Sequence, residues 1–184
     1  MHRDIVWEWA DRPGLEHCTV TATSAGVAAD GLALFVLEGT AWRLRYHLAC
    51  DAGWRFVRGE MTLDGPGEAR TLTLDHGPQG WLVDGRPRAD LGHCVDIDIR
   101  ATPFTNTLPL RRLELIENAP QAAVVAYVSI PDLTVSAVRQ RYTRLAGAGR
   151  YRYENLENGF VADLTVDQDG LVVDYPGPWR RRGG

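Results

Sequence analysis

The chain has 184 residues, of which 45% are hydrophobic and 24% charged, and its formal net charge is −4. This composition is typical of one globular domain with a buried core, which we expect to span residues 1–184. The negative charge argues against nucleic acid as a partner. All 20 basic residues are arginine, so every positive charge is a planar group suited to carboxylates or phosphates.

The sequence shows neither an apolar leader at its N-terminus nor a stretch of membrane-spanning length. We therefore expect a cytoplasmic protein without integral membrane association. The three cysteines, Cys18, Cys50 and Cys94, have no short spacing between them. This argues against a disulfide framework or a zinc cluster, so we expect reduced thiols in the core, no metal and no cofactor.

Dipeptides typical of tight hairpin turns divide the chain into short segments. They are Asp30-Gly31, Asp64-Gly65, Asp84-Gly85, Asn158-Gly159 and Asp169-Gly170. Between these dipeptides, residues 42–48 alternate strictly between apolar and polar, which predicts a strand with one buried face. Similar alternation marks residues 72–74 and 162–166, and residues 171–175 form a last strand before Pro176.

Two later segments differ from this pattern. Residues 124–130 are apolar on both faces, which predicts a central strand covered on two sides. Residues 134–145 suit a helix or a strand equally well. The whole pattern predicts a mainly β protein, a single antiparallel meander of about ten strands with few short helices. Such a sheet must curl into an incomplete barrel, which would enclose an apolar cavity, and we expect residues 180–184 to be a frayed tail.

A segment with two prolines, from Thr102 to Leu113, is the most unusual part of the chain. Pro103 and Pro109 each fix φ and remove a backbone donor, which predicts that no continuous helix and no central strand crosses the segment. A short helical turn near residues 103–108 stays open. We interpret the segment as a ligand-facing loop at the cavity rim, with a purely structural role in locking the barrel edge as the alternative. Its candidate ligand-binding residues are Thr102, Phe104, Thr105, Asn106 and Thr107.

Two carboxylates, Asp96 and Asp98, precede this segment on one face of a predicted strand. Paired carboxylates suit a divalent cation, but no third ligand is evident. A solvated strand face, or an ion-pair ladder with Arg111 and Arg112 on a neighbouring strand, is therefore the favoured interpretation. We expect one of these two arginines to face the cavity or the carboxylates and the other to face solvent, and we count all four residues as candidate ligand contacts.

Aromatic residues and arginines alternate at several places. Alternation puts most of these aromatic side chains in the core, but Trp54 and Phe56 share a face with Arg58 and are candidate ligand contacts. His93 and Cys94 cannot form a catalytic dyad, because neighbours on a strand point to opposite faces. No residue is predicted to be catalytic.

Several motifs resemble one bacterial family, whose members are called putative glycolipid-binding proteins. The strongest runs from Cys94 to Leu113, and the others follow in the same order along the chain. They are Arg45-Tyr46 with Asp51 and Trp54-Arg55, Gln140-x-Tyr142-Thr143, Tyr151-Arg152-Tyr153, and Gly170-Leu171-Val172-x-Asp174-Tyr175-Pro176. The resemblance implies a fold similar to the lipoprotein-localisation carriers, an incomplete antiparallel barrel with a hydrophobic cavity.

The first hypothesis for function is binding of an amphipathic or hydrophobic small molecule, glycolipid-like, with its acyl part inside the half-barrel. Its head group would then meet the double-proline segment, with Phe104 as an apolar lid. The second hypothesis is an enzyme that acts on a hydrophobic metabolite through Asp96 or Asp98 and Arg111 or Arg112. The third is an interaction module without ligand, in which an exposed sheet edge pairs with another chain, as in a homodimer.

Overall fold

The computed structural model describes residues 1–184 and contains one sheet of 15 strands. The strands are β1 (His2–Trp9), β2 (Gly14–Thr23), β3 (Gly26–Leu37), β4 (Thr40–Cys50), β5 (Phe56–Asp64), β6 (Arg70–Gly77), β7 (Gly80–Val83), β8 (Arg86–Pro87), β9 (Asp96–Ile99), β10 (Gln121–Val128), β11 (Val135–Arg144), β12 (Arg150–Asn155), β13 (Val161–Val166), β14 (Val172–Tyr175) and β15 (Trp179–Gly183). Two 3-10 helices, Ala89–Leu91 and Phe104–Asn106, and one α-helix, α1 (Thr107–Arg112), complete the structure.

The sheet consists of two meanders joined through the two ends of the chain. In space the strands follow the order β8 to β1, then β15 down to β9, so β1 pairs with β15. All neighbours are antiparallel except β9 and β10, which are parallel. The predicted mainly β, incomplete barrel is confirmed, because β8 and β9 remain edges of an unclosed sheet.

The last residues form part of this joint. Arg180, Arg181 and Gly183 of β15 pair with Glu8, Trp7 and Val6 of β1. The prediction of a frayed tail is therefore wrong, because the backbone hydrogen bonds of this strand connect the two meanders.

Side chains connect the two edges where the ladder stops. The indole Nε1 of Trp81 on β7 donates to the carbonyl of Cys94 at 2.9 Å. Arg88, just after β8, donates to the carbonyl of Val135 on β11 at 2.9 Å. These bonds hold the half-barrel in its curled shape without closing the sheet.

The hairpin predictions are confirmed at four of the five dipeptides and wrong at Asp30-Gly31, which lies inside β3. At Asp84-Gly85, φ values of 50° and 72° match a two-residue turn between β7 and β8. Gly31 has a different role, because a Cβ there would collide with the ring of Tyr46. Glycine is needed at that position for close packing inside the barrel.

Both of the segments that departed from the alternating pattern, residues 124–130 and 134–145, contribute strands to the sheet. Residues 135–144 form strand β11, not a helix. β10 is buried on both faces as predicted, since Val125 and Ala126 are 1% and 0% exposed. It lies next to the edge strand β9, whose parallel pairing covers one side of its ladder.

The double-proline segment fills the inside of the half-barrel. Every residue from Ala101 to Leu110 is buried, and the chain is helical from Phe104 to Arg112. The short helical turn that stayed open near residues 103–108 is therefore present. The prediction that no continuous helix crosses the segment is wrong, as is the placement of Arg111 and Arg112 on a strand. Pro103 precedes the first helical turn and Pro109 lies in the first turn of α1, a part of a helix in which proline is tolerated.

The composition of residues 101–110 explains why they can be buried. The segment contains no charged residue, and its two prolines bring no backbone donors that would need partners. Thr102 Oγ1 accepts the Phe104 N–H at 3.0 Å, and the Pro103 carbonyl accepts the Asn106 N–H at 3.2 Å. The segment is an interior plug and not a surface rim.

Candidate functional site

A cavity of about 290 Å³ remains beside this interior plug. Thr102 and Asn106 of the plug form one side of it, and Asp98 of β9 lies next to them. The rest of the wall comes from strands and turns of both meanders. These residues are Trp9, Asp11, Arg12, Ile99, Arg100, Tyr127, Tyr153, Asn155, Asn158, Phe160, Tyr175, Pro178 and Trp179.

Aromatic rings form much of the cavity wall. Trp9 and Trp179, which are partners in the β1–β15 ladder, stack with ring centroids 4.6 Å apart. On the other side, Tyr153, Phe160 and Tyr175 pack together with centroids 5.9 to 6.2 Å apart. Phe160 is 40% exposed, so it joins the cavity to the protein surface.

Asp98 is the carboxylate at the inner side of the cavity, and two neutral groups hold it. Thr105 Oγ1 donates to Asp98 Oδ1 at 2.9 Å, and Gln140 Nε2 donates to Oδ2 at 2.6 Å. The hydroxyl of Tyr142 donates to Gln140 Oε1 at 3.1 Å, which orients the amide. Burial raises the pKa of Asp98, and the bonds from Thr105 and Gln140 only partly oppose this effect.

Asp96 has a different environment, although it lies only two residues away. It is fully buried and receives Arg112 in a two-pronged ion pair, with Nη2 to Oδ2 at 2.6 Å and Nε to Oδ1 at 3.0 Å. Burial raises the pKa of this carboxyl, against the bonds from Arg112. The expected ion pair between strand and arginine exists, but its arginine lies on α1. Neither Asp96 nor Arg112 lines the cavity.

Trp54, Phe56 and Arg111 also lie outside the cavity. Trp54 is 7% exposed, has a φ of 64°, and carries the Arg111 guanidinium 5.0 Å above its ring centroid. Phe56 is 1% exposed and stacks on Trp81 in the core. These residues form one packed side of the half-barrel, with Arg111 exposed to solvent.

Phe104 and Thr107 are both completely buried. Phe104 belongs to the hydrophobic core, so it does not act as a lid. Thr107 Oγ1 has no hydrogen-bond partner. Among the plug residues proposed from the sequence, Thr102 and Asn106 line the cavity and Thr105 supports Asp98 from behind.

A buried carboxyl that the sequence did not single out lies behind Thr102. Glu16 on β2 is 0% exposed, and the Tyr46 hydroxyl donates to its Oε1 at 2.5 Å. Its other oxygen, Oε2, has no partner. Burial raises the pKa of Glu16 to about 8, with the hydroxyls of Thr102 and Tyr46 opposing the shift.

Comparison with known proteins assigns the family. The family model described as "Putative glycolipid-binding" matches residues 4–181. The chain belongs to this family. A crystal structure of a DUF1089 family protein from Pseudomonas aeruginosa is 34% identical in sequence, and the match covers 91% of this chain and 92% of that chain with a TM-score of 0.82. No curated protein shows significant similarity.

The match confirms the resemblance to the glycolipid-binding family, and the motifs behind it include two aromatic residues of the cavity wall that were missed, Tyr153 and Tyr175. Gln140, Tyr142, Tyr153 and Tyr175 belong to three of those motifs and meet around Asp98 or on the cavity wall. Membership of these motifs was the signal by which the sequence could have identified them. Trp9 and Trp179 gave no such signal, because they meet only when β1 pairs with β15.

Other surfaces of this protein are less suited to bind a small molecule. A larger depression of about 460 Å³ lies over strands β2 to β5, but exposed polar and charged side chains such as His17, Asp30 and Arg45 line it. No group of three or more His, Cys, Asp or Glu side chains is placed to hold a metal ion. Among the helices, none is both long and apolar enough to pass through a bilayer.

Proposed function

We propose that this protein binds an amphipathic, glycolipid-like small molecule and holds the polar end of that molecule in the cavity. The observation that carries the proposal is the cavity itself, which combines aromatic rings with a few fixed polar groups. Such a combination is the usual composition of a small-molecule site. The family description supports the same class of ligand.

The wall chemistry suits a sugar-like head group. Rings such as Tyr153 and Trp179 offer flat apolar faces, on which the C–H face of a sugar ring can stack. Asn106, Asn155 and Asp98 supply amide and carboxylate groups for hydroxyls. A hydrocarbon chain alone would leave these polar groups without partners, which costs binding energy.

The volume of the cavity limits which end of the ligand it can hold. Small-molecule sites range over about 300–1,000 Å³, so a cavity of about 290 Å³ is at the lower limit. Residues 101–110 are buried inside the half-barrel, where the first hypothesis expected an acyl chain. We therefore propose the opposite orientation, with the head group inside and the apolar part passing Phe160 toward the surface.

The proposal is tested by lipid capture with two matched variants. Phe160→Ala removes an apolar side chain that lines the cavity, whereas Leu34→Ala removes one that is 52% exposed on β3 away from it. Purified wild-type protein and both variants are incubated with a total bacterial lipid extract, re-isolated, and analysed by native mass spectrometry.

We expect the wild type and Leu34→Ala to enrich the same amphipathic species and Phe160→Ala to lose most of that enrichment. Thermal unfolding checks that both variants are folded. If the wild type enriches nothing, or if both variants behave alike, ligand binding in this cavity is refuted.

An enzyme acting on a hydrophobic metabolite is the second candidate, and one observation favours it. Asp98 combines access to a cavity with a pKa raised by burial, a combination found in general acids and bases. The other residues expected to assist it, Asp96 and Arg112, are paired with each other outside the cavity. A captured ligand that is chemically converted by the wild type, but only bound by Asp98→Asn, would identify an enzyme.

A further inference from the structure

Asp98 differs from Asp11, the other carboxylate of the cavity wall, because Arg12 accompanies Asp11 whereas no cation accompanies Asp98. Its two bonds come from a hydroxyl and an amide, both neutral. We propose that Asp98 is the charge-selecting residue of the cavity, which admits uncharged hydroxylated head groups and excludes anionic ones such as phosphates, sulfates and uronic acids. This inference rests on the proposed function.

The arginines near the cavity do not neutralise Asp98. Arg12 donates from Nε to Asp11 at 2.9 Å, and its guanidinium lies 4.7 Å from the centre of the Trp9 ring. Arg100 is exposed, so solvent screens its charge, and it donates to the backbone carbonyl of Ile130 at 3.1 Å and not to Asp98. An anionic ligand would therefore meet an uncompensated carboxylate, and like charges brought together at a binding site disfavour the wrong partner strongly.

Asp98 is fixed in place, so it cannot turn away from an anionic ligand. Thr105 on the 3-10 helix holds Oδ1, and Gln140 on β11 holds Oδ2. Gln140 is itself oriented by the Tyr142 hydroxyl, at 3.1 Å from Oε1. A carboxylate that is held from two elements is preorganised for selection.

The same carboxylate can still accept further hydrogen bonds. Thr105 and Gln140 both donate to Asp98, and these two bonds favour its ionised form against the effect of burial. An ionised carboxylate has about four acceptor positions, and each oxygen of Asp98 uses one of them inside the protein. The remaining positions suit the hydroxyl groups of a ligand. A carboxylate or a fully ionised phosphate lacks the protons to fill them.

A second, independent observation shows that the cavity also needs an acceptor from its ligand. Trp9 lines the cavity and is 4% exposed, and its Nε1 has no hydrogen-bond partner. A buried donor without an acceptor is costly, and an oxygen of the ligand would satisfy it. Hydroxyl groups can donate to Asp98 and accept from Trp9, whereas an anion can only accept.

The test compares two probes that differ only at C6 of the sugar, which is a neutral hydroxymethyl group in one and a carboxylate in the other. Octyl glucoside and octyl glucuronide, both below their micellar concentrations, are titrated into the full-length protein by isothermal calorimetry at neutral pH. We expect the glucuronide to bind at least about tenfold more weakly, because one like-charge contact exceeds 1.4 kcal/mol. Equal binding, or tighter binding of the glucuronide, overturns the inference and leaves the proposed function intact.

Variants locate the effect at Asp98. In Asp98→Asn the ratio of the two dissociation constants should fall to about threefold or less, whereas Asp132→Asn, an exposed aspartate in the turn between β10 and β11, should keep the wild-type ratio. If Asp98→Asn does not fold, the wild-type comparison still decides.

The result is read together with lipid capture. If lipids are enriched but neither octyl probe binds, the inference about the head group is wrong and the proposed function stands. If no lipid is enriched and neither probe binds, both fail.

Discussion

Asp96 and Asp98 lie two residues apart on β9, yet their partners give them opposite roles. Asp96 is completely buried and receives two prongs of the Arg112 guanidinium. Asp98 receives one hydroxyl and one amide and lies on a cavity wall. The first carboxylate is neutralised and closed to further ligands, whereas the second still has acceptor positions facing open space.

The comparison teaches that neither residue type nor burial separates a structural carboxylate from a binding one. Burial raises the pKa of both groups. What differs is the partner. A guanidinium neutralises the charge of a carboxylate and donates to both of its oxygens, whereas two neutral donors supply hydrogen bonds but leave the charge uncompensated. Three experiments can break or sharpen this distinction.

The largest effect is expected at Asp96. Asp96→Asn leaves the Arg112 guanidinium, which is 16% exposed, without its counter-charge. Removing one partner of such a pair costs about 3–5 kcal/mol. We expect a loss near the lower end of this range in urea unfolding.

Two controls accompany this measurement. Asp98→Asn should lose less than about 1 kcal/mol, because only one neutral hydrogen bond has to rearrange. The double variant Asp96→Asn/Arg112→Met should recover much of the loss, since no buried charge remains unpaired. If Asp96→Asn and Asp98→Asn destabilise equally, the contrast between the two carboxylates is wrong.

Glu16 is a second buried carboxyl without a cation, and unlike Asp98 it does not line the cavity. Its pKa is raised from 4.5 to about 8 in the folded protein, so the folded state holds a proton that the unfolded chain releases. The stabilisation is complete below pH 4.5 and is lost as pH rises through about 8. Between pH 6 and pH 8 we expect the free energy of unfolding to fall by about 2 kcal/mol from this group.

Glu16→Gln is the matched control for the pH dependence. The amide cannot ionise, so the variant should lose this slope between pH 6 and pH 8 and be more stable than the wild type at the upper end. The measurement is urea unfolding at several pH values. An unchanged slope in Glu16→Gln would show that other groups cause the pH dependence.

The smallest effect is expected at two threonines of the interior plug. Thr105→Val removes the hydrogen bond to Asp98 and should cost about 1.5 kcal/mol. Thr107→Val removes a buried hydroxyl that has no partner and should gain about 1 kcal/mol. The two isosteric changes should therefore shift the thermal unfolding temperature in opposite directions, and shifts of the same sign would contradict the assigned hydrogen bonds.

Much of the fold could be predicted from local pattern. Alternation in residues 42–48 correctly placed Leu44, Tyr46 and Leu48 inside the barrel, because a strand has a side-chain period of two. Turn dipeptides marked most hairpins for the same local reason. Asp30-Gly31 failed because the need for a glycine there comes from the ring of Tyr46 on the next strand.

The candidate site was predictable only in part. Asp98, Thr102 and Asn106 were named from the sequence, and the structure places all three on the cavity wall. Trp9 and Trp179 were not, since they meet only when β1 pairs with β15. Pairing between the two ends of a chain leaves no local signature.

The sequence by itself determined the fold class and the family, because strand alternation, turn chemistry and motif order are all local properties of the chain. The tertiary structure alone decided that residues 101–110 lie inside the half-barrel, because an uncharged segment with few free backbone donors can be buried or exposed at similar local cost. It also decided which carboxylate receives a guanidinium. That choice depends on the direction in which α1 presents Arg112 and on the approach of Gln140 from β11, and both are consequences of packing between distant segments.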